Sequence, residues 1–400
     1  MTDTAARGIG PATHLHRPGQ ADAPLPVIAG AAPTAESARM RVVHVVEPLA
    51  TGPLQSIARI CWGLRERFEF TLIHGQRPNL PAVPRESFPP EVRLLPWQVG
   101  RVISPRDDWI ALRQLKAMLS AARPDIVHAH SSKAGALARL AALSTPLKVV
   151  YSPRGYSFLR RDVGAPRRLL YRGLETALGR VPHLTVACGL GEYGEALKVA
   201  RRVELVPNMI DLGDFSGLTG PRQEDGPMTV AMCGEIRPGK NFSLFREIAR
   251  LCRGPGIRFV WVGGGTSQPG PPLPDNLEIT GWLPRQVVLA RLSQAQVFCH
   301  TSQWEGLSIA LLEAMALGLP VLAWPAVGNR ELVVEGETGY TCRTAEEFAT
   351  RLRALAADPG RRLALGDAGR ARVARQYDAA VVAAQWASVY GHYERYGQPI

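Results

Sequence analysis

Two glutamates, Glu305 and Glu313, stand eight residues apart in the stretch Val297–Pro320, VFCHTSQWEGLSIALLEAMALGLP. An apolar run of strand length, Ala295–His300, leads into a turn-forming loop, Thr301–Gly306. A helix is expected from about Ser308 until Gly318 and Pro320 stop it. A strand running into a helix leaves the amides of Gly306, Leu307 and Ser308 without intrahelical partners, so they can hold an anionic or hydroxyl-rich ligand. Carboxylates at such a place repel phosphate and turn instead to hydroxyl groups, from which they accept hydrogen bonds. The plain structural reading makes Ser308 an N-cap and Glu313 a solvated helix residue. Against it, Glu313 lies in the apolar run Ile309–Ala316, where an idle charge is costly.

Three further stretches carry residues of chemical interest. Pro124–Gly135 reads PDIVHAHSSKAG, a strand running into a helix. Ligands of a doubly wound sheet lie beyond the C-terminal strand ends, so His130, Ser131 and the first helical turn, including Lys133, are expected at a cleft. His128, inside the strand, reads as a packed core residue. The run Arg160–Arg180, RRDVGAPRRLLYRGLETALGR, alternates Arg160, Arg161, Arg167, Arg168 and Arg172 with leucines. A basic amphipathic helix of this kind suits an anionic membrane surface, although a solvated arginine face would look the same. Gly189–Gly194, GLGEYG, is a literal G-x-G-x-x-G after the strand Leu184–Cys188, which admits an NAD(P)-dependent oxidoreductase. That motif does not open the fold here, and no acidic residue clearly ends the next strand.

The E-x7-E pattern within EGLSIALLEAMA resembles the donor-sugar signature of the retaining GT-B glycosyltransferases, in particular family 4, the group 1 transferases. HSSKAG resembles the polysaccharide-biosynthesis branch of that family, and Val206–Asp211 (VPNMID) resembles its interdomain V-P-N-G-x-D segment. Gly234–Lys240 (GEIRPGK) resembles G-R-x-x-x-x-K, whose arginine and lysine grip the donor diphosphate. Gly234 and Lys240 match, Glu235 stands at the arginine position, and Arg237 follows two residues later. In Val149–Phe158 (VVYSPRGYSF), Arg154 occupies the place of the family histidine beside the transferred sugar. Thr51-Gly52-Pro53 takes the place of an acceptor-side Gly-Gly pair. Cys188–Tyr193 resembles a Cys-Ser-x-x-Glu-Tyr segment, with Gly189 for the serine.

What the resemblance implies is a hexosyl transfer with retention from a UDP- or GDP-sugar to a lipid-linked saccharide. Glu313 would bind ribose, and Glu305 with the amides of Gly306–Ser308 the sugar. Lys240, with Arg237, would neutralise the diphosphate. His130, Arg154, Gly52, Ser131 and Lys133 would stand on the acceptor side. Front-face attack, with the leaving phosphate as base, is expected rather than a covalent intermediate. The sequence has no D-x-D triplet, so no metal cofactor is expected. Competing readings are a GT-B-shaped nucleotide-sugar epimerase and a silent nucleotide-sugar-binding protein.

Strand and helix patterns alternate from Met40–Val46 onward, with helices expected at Leu54–Glu66, Asp108–Ala122, Glu346–Ala357, Gly360–Gln376 and Ala379–Tyr396. This is an α/β chain with two Rossmann-like, doubly wound domains. The expected division is a disordered leader at 1–39, an acceptor domain at 40–205, a link at 206–227, a donor domain at 228–378 and a crossover helix at 379–400. The 400 residues carry a net charge of +12, all of it arising in 40–205, where 25 Lys and Arg face 13 Asp and Glu. An anionic partner for that half follows. Nucleic acid is a poor fit, because no recognisable module for it is present. Six scattered cysteines without a C-x-x-C pair argue for a reducing compartment and against a zinc site. With no signal-peptide layout and no run of about 18 apolar residues, the expected place is the cytoplasm, on the inner membrane face.

Overall fold

The computed structural model describes residues 39–77, 82–219, 226–265 and 272–396. The leader read at 1–39 therefore lies outside them apart from its last residue, as do residues 220–225 of the link read at 206–227 and residues 397–400. The first half carries β1 (Met40–Val46), α1 (Thr51–Leu64), β2 (Phe68–His74), β3 (Arg93–Pro96), α2 (Pro105–Ala122), β4 (Ile126–His130) and α3 (Ser131–Ala142). It continues through β5 (Val149–Ser152), α4 (Ala165–Leu178), β6 (Leu184–Ala187), α5 (Leu190–Ala196) and β7 (Val203–Leu205). Its seven strands are parallel in the order β3-β2-β1-β4-β5-β6-β7.

The second half carries β8 (Met228–Cys233), α6 (Phe242–Leu251), β9 (Ile257–Val262), β10 (Leu277–Ile279), α7 (Arg285–Ser293), β11 (Val297–His300) and α8 (Ile309–Ala316). Then come β12 (Val321–Ala323), α9 (Val327–Arg330), β13 (Gly339–Thr341), α10 (Ala345–Ala357), α11 (Pro359–Gln376) and α12 (Ala379–Tyr396). This sheet is also parallel, in the order β10-β9-β8-β11-β12-β13. Both strand orders turn about a central switch, where the crevice outside the strand ends receives ligands.

Fully buried apolar strands explain the parallel sheets: β4, β5, β6, β11 and β12 are buried at every position, as sheets covered on both faces require. Helix α12 leaves the second half and packs Val382, Trp386 and Tyr390 into the core of the first, against α1 and the β1–β2 edge. Helix α1 starts at Thr51, three residues earlier than its apolar spacing suggests, so Gly52 and Pro53 lie in its first turn rather than in a loop. Proline is tolerated there because first-turn amides have no intrahelical partner in any case.

Candidate active site

The glutamate loop is pinned between the halves. Ser308 caps α8, its hydroxyl accepting from the Leu311 amide at 3.3 Å. Thr301 donates to the Lys240 carbonyl at 2.8 Å, and the Gln303 amide donates to the Gly239 carbonyl at 2.9 Å. These bonds set Glu305 beside the turn Pro238–Lys240. Lys240 Nζ then lies 2.7 Å from Glu305 Oε1, and His300 Nε2 lies 3.5 Å from the same oxygen. Burial opposes ionisation of Glu305, but Lys240 and His300 outweigh it and hold the carboxyl well below its usual range. The same burial lowers His300 despite its carboxylate neighbour.

A cleft of about 630 Å³, open to solvent, brings the two halves together. Arg101, Arg154, Gly155, Ser157, Arg160 and Asp162 line it from the first half. Arg237, Gly239, Trp304, Glu305 and Gly306 line it from the second. Gly306 sits tightly against the first half: a Cβ there would come within 2.7 Å of the Cys188 sulfur and 3.0 Å of the Gly155 nitrogen. Leu307 and Ser308 are buried behind it, so of the three amides expected to meet a ligand only Gly306 reaches the cleft wall. Glu192 supports the facing loop by accepting from the Gly155 and Cys188 amides.

Glu313 is buried, as its apolar surroundings demand, and it is not alone. Arg285 of α7 donates to its Oε1 at 2.6 Å and also reaches Asp214 at 3.0 Å. Arg59 of α1 pairs with that same Asp214 oxygen at 3.0 Å. Four charges from both halves and the connecting segment thus form one chain. Gly234, after β8, has φ 141° and sits against the Lys240 stem, beneath the turn that carries Arg237. Arg237 faces Glu235 at 3.7 Å, so Glu235 tempers a cation rather than supplying one.

Several residues do not stand where the sequence places them. His130 is fully buried instead of facing the cleft. Its Nε2 meets His44 Nδ1 at 2.9 Å, and Arg154 approaches its Nδ1 at 3.4 Å. His44, His128 and His130 gather one nitrogen each within 4.8 Å. Yet His128 is bonded on both sides, to Tyr390 at 2.7 Å and Ser152 at 3.0 Å, and Arg154 adds a positive charge. These bonds make the cluster a hydrogen-bonded core and a poor cation site. Lys133 turns from the cleft to Asp108 and donates to the Val102 carbonyl at 2.9 Å. Ser131 donates to the Glu47 carbonyl at 3.0 Å, and Gly52 lies under α8, near Ile309.

Arg160 and Arg161 precede the amphipathic helix, because the Gly164-Ala165-Pro166 sequence starts α4 at Ala165. Arg160 lines the cleft and grips Asp162 in bidentate fashion at 2.9 and 2.6 Å. Arg167, Arg168 and Arg172 are exposed on α4, and so are Leu169, Leu170 and Leu174. The G-x-G-x-x-G has a packing explanation. A Cβ at Gly191 would come within 1.9 Å of Val327, and one at Gly189 within 2.8 Å of the Glu331 carboxylate. The glycines admit a loop of the second half, and Glu331 takes the place a dinucleotide phosphate would need.

Sequence reading assigns no role to Arg101, Glu192, Asn208, Arg285 or Trp304, although Glu192 stands at the glutamate of the Cys-Ser-x-x-Glu-Tyr-like segment. Asn208 accepts from Arg154 and donates to the Leu307 carbonyl at 2.7 Å, tying the two halves; its V-P-N context is the one local signal. Arg285 has no local signal at all, since its partners are 28 and 71 residues away.

These groups also set a pH dependence. Burial lowers His44 to about 3 and His183 to about 4, and depresses His74, His128, His130 and His300. The unfolded chain takes up these protons near pH 6.5 and the folded chain does not. Stability is therefore complete above that pH and is lost as pH falls toward 4. Glu331 acts oppositely: burial pushes it up to about 7, so its ionisation costs stability as pH rises from about 4.5 to 7. Glu331→Gln should steepen the loss between pH 7 and 5, measured by denaturant midpoints. An unchanged slope in Glu331→Gln would contradict the Glu331 assignment, and a variant flat across that range would contradict that of the histidines.

Two parallel Rossmann-like halves, facing across a cleft with a buried Lys–Glu pair and arginines on both walls, define a GT-B glycosyltransferase. The family model described as "Glycosyl transferases group 1" matches residues 221–372, and that of the "Glycosyl transferase 4-like domain" matches 51–209. The chain belongs to the group 1 glycosyltransferases. It is 29% identical over 272 residues to the UDP-Gal:alpha-D-GlcNAc-diphosphoundecaprenol alpha-1,3-galactosyltransferase of Escherichia coli, covering 60% of this chain and 68% of that one. The sucrose-phosphate synthase of Thermosynechococcus elongatus superposes with a TM-score of 0.74 at 18% identity, over 88% of this chain and 99% of that one. Anabaena Alr3699/HepE, in complex with UDP and glucose, superposes with 0.71 at 17% identity, over 88% and 100%. The oxidoreductase reading is not favoured.

Proposed function

We propose that the chain moves a hexose-type sugar from a UDP- or GDP-sugar to a lipid-linked saccharide, with retention and without a metal, in surface polysaccharide assembly. The observation that carries this reading is the cleft that sets Arg237 and Glu305, the latter held from behind by Lys240, opposite Arg154 and Gly155. Lys240 and Arg237 take the donor diphosphate, where fixed cations stabilise charge that develops as the bond breaks. Glu305 and the Gly306 amide hold the sugar, and Glu313 is left its second oxygen for ribose. Glu305 is fixed to Lys240 in its ionised form and is a poor proton donor. The acceptor hydroxyl therefore attacks the anomeric carbon from the face the diphosphate leaves, and its proton passes to the departing phosphate oxygen.

The similar E. coli protein is named for a diphosphoundecaprenol acceptor, which supports a lipid-linked one here. No helix among the described residues is long and apolar enough to cross a membrane. Contact with an anionic membrane surface is assigned to α4, where Leu169 and Leu170 are 70% and 55% exposed beside Arg167, Arg168 and Arg172. The test combines nucleotide sugars with a short-chain prenyl-diphosphate N-acetylglucosamine and follows product by mass and by NMR of the anomeric centre. One added hexose with retained configuration is expected. Donor epimerisation without acceptor, or donor binding with no transfer to any acceptor, would overturn the reading. Arg167→Glu with Arg168→Glu should abolish flotation with anionic vesicles, and unchanged flotation would remove α4 from the account.

A further inference from the structure

Of the cations at and directly behind the cleft wall, those of the second half are already committed. Lys240 is bound to Glu305, and Arg237 faces Glu235. The first half supplies Arg101, Arg154 and Arg160 against one carboxylate, Asp162, which Arg160 holds. Arg101 has no carboxylate within ion-pair distance among the described residues; Arg77, Arg160 and Arg237 repel it, and the carboxylates of Glu235 and Asp162 act on it only from farther off. Arg77 is itself taken by Glu47 at 2.9 and 3.2 Å. Cations gathered at a cleft wall without counter-ions repel one another unless an anionic ligand joins them.

The position of this surplus says which part of a ligand it meets. Arg101 is followed by Val102 and Ile103, 77% and 50% exposed, and α2 adds Trp109 and Ile110, 57% and 44% exposed. Arg160, which lines the same cleft, leads through a short turn into α4 and its exposed leucines. Arg101 and Arg160 thus line a polar cleft, and each is followed in the chain by exposed apolar side chains. The loop that bears Arg101 is braced: Lys133 donates to the Val102 carbonyl, and Ser104 caps α2 by accepting from the Asp107 amide.

We propose that Arg101 and Arg160 form a binding site for the diphosphate that joins an acceptor saccharide to its apolar chain. The inference rests on the lipid-linked acceptor reading and adds the residues that recognise the linkage. The chain would leave over Val102, Ile103 and the α4 leucines, and the saccharide would point inward to Arg154 and Gly306. On binding, the diphosphate competes with Asp162 for Arg160 and gives Arg101 a counter-ion in direct contact.

The test is direct binding of farnesyl diphosphate in the presence of saturating UDP, which fills the donor diphosphate site. Arg101→Gln should weaken binding about tenfold, and the pair Arg101→Gln with Arg160→Gln about a hundredfold. Arg250→Gln, the same charge change on the remote helix α6, should leave the affinity within twofold. Farnesol should bind far more weakly than its diphosphate. Equal affinity of wild type and double variant, or no binding of farnesyl diphosphate by a wild type that binds UDP, would overturn the site. Donor transfer to a phosphate-free alkyl glycoside would still be seen in that case, so failure of this site and failure of glycosyl transfer remain distinct outcomes.

Discussion

Replacing Lys240 with alanine should lower kcat/KM by about a thousandfold while the donor's sugar contacts stay in place. Fixed donors aimed at developing charge are worth on the order of 100- to 1000-fold in turnover each, and Lys240, the partner of Glu305, is the cation proposed for the donor diphosphate. The same change strands a buried carboxylate. Both side chains are largely shielded, 13% and 15% exposed, so breaking the pair should also cost roughly 3 kcal/mol of stability. Glu305→Gln in the Lys240→Ala background separates the two effects: it should restore the melting temperature and leave activity lost. A Lys240→Ala enzyme within tenfold of wild type would remove the diphosphate role.

Arg285→Ala should be strongly damaging to the fold of the second half. Arg285 joins Glu313, with a side chain 6% exposed, to Asp214, which in turn holds Arg59 of the first half. Its loss leaves Glu313 charged in an apolar setting, at about 3 kcal/mol, and unties the two halves at one point. Denaturant unfolding should show the loss, and Arg285→Ala with Glu313→Gln should recover part of it by removing the stranded charge. If the single variant unfolded at the wild-type midpoint, Glu313 would have to find its neutralisation elsewhere.

These two residues show where sequence reading succeeds and where it stops. Glu305 and Glu313 are legible because strand, loop, cap and helix follow one another locally, and period and turn chemistry are local properties. The long helices at the C-terminus are legible for the same reason, their ends falling within one residue of the sequence pattern. Arg285 is invisible, since its meaning comes from partners brought in by the sheet. His130 is misplaced by a sound rule: it does end a strand at the cleft side, but His44 and Arg154 close over it. Arg160 looked like one more arginine of an amphipathic run until Gly164 and Pro166 set the helix start beyond it. Gly191 matched a dinucleotide motif for a reason of its own, the approach of Val327.

The central claim is that the cleft between the halves takes a nucleotide diphosphate sugar on Lys240, Arg237 and Glu305. Isothermal titration of the wild-type chain with UDP, GDP, their hexose derivatives and NAD(P), repeated with Lys240→Ala, tests it most directly. The account predicts binding of one nucleotide diphosphate sugar, weakened at least tenfold by Lys240→Ala, and no binding of NAD(P). Binding of NAD(P) alone, or nucleotide-sugar binding that Lys240→Ala leaves unchanged, would contradict it.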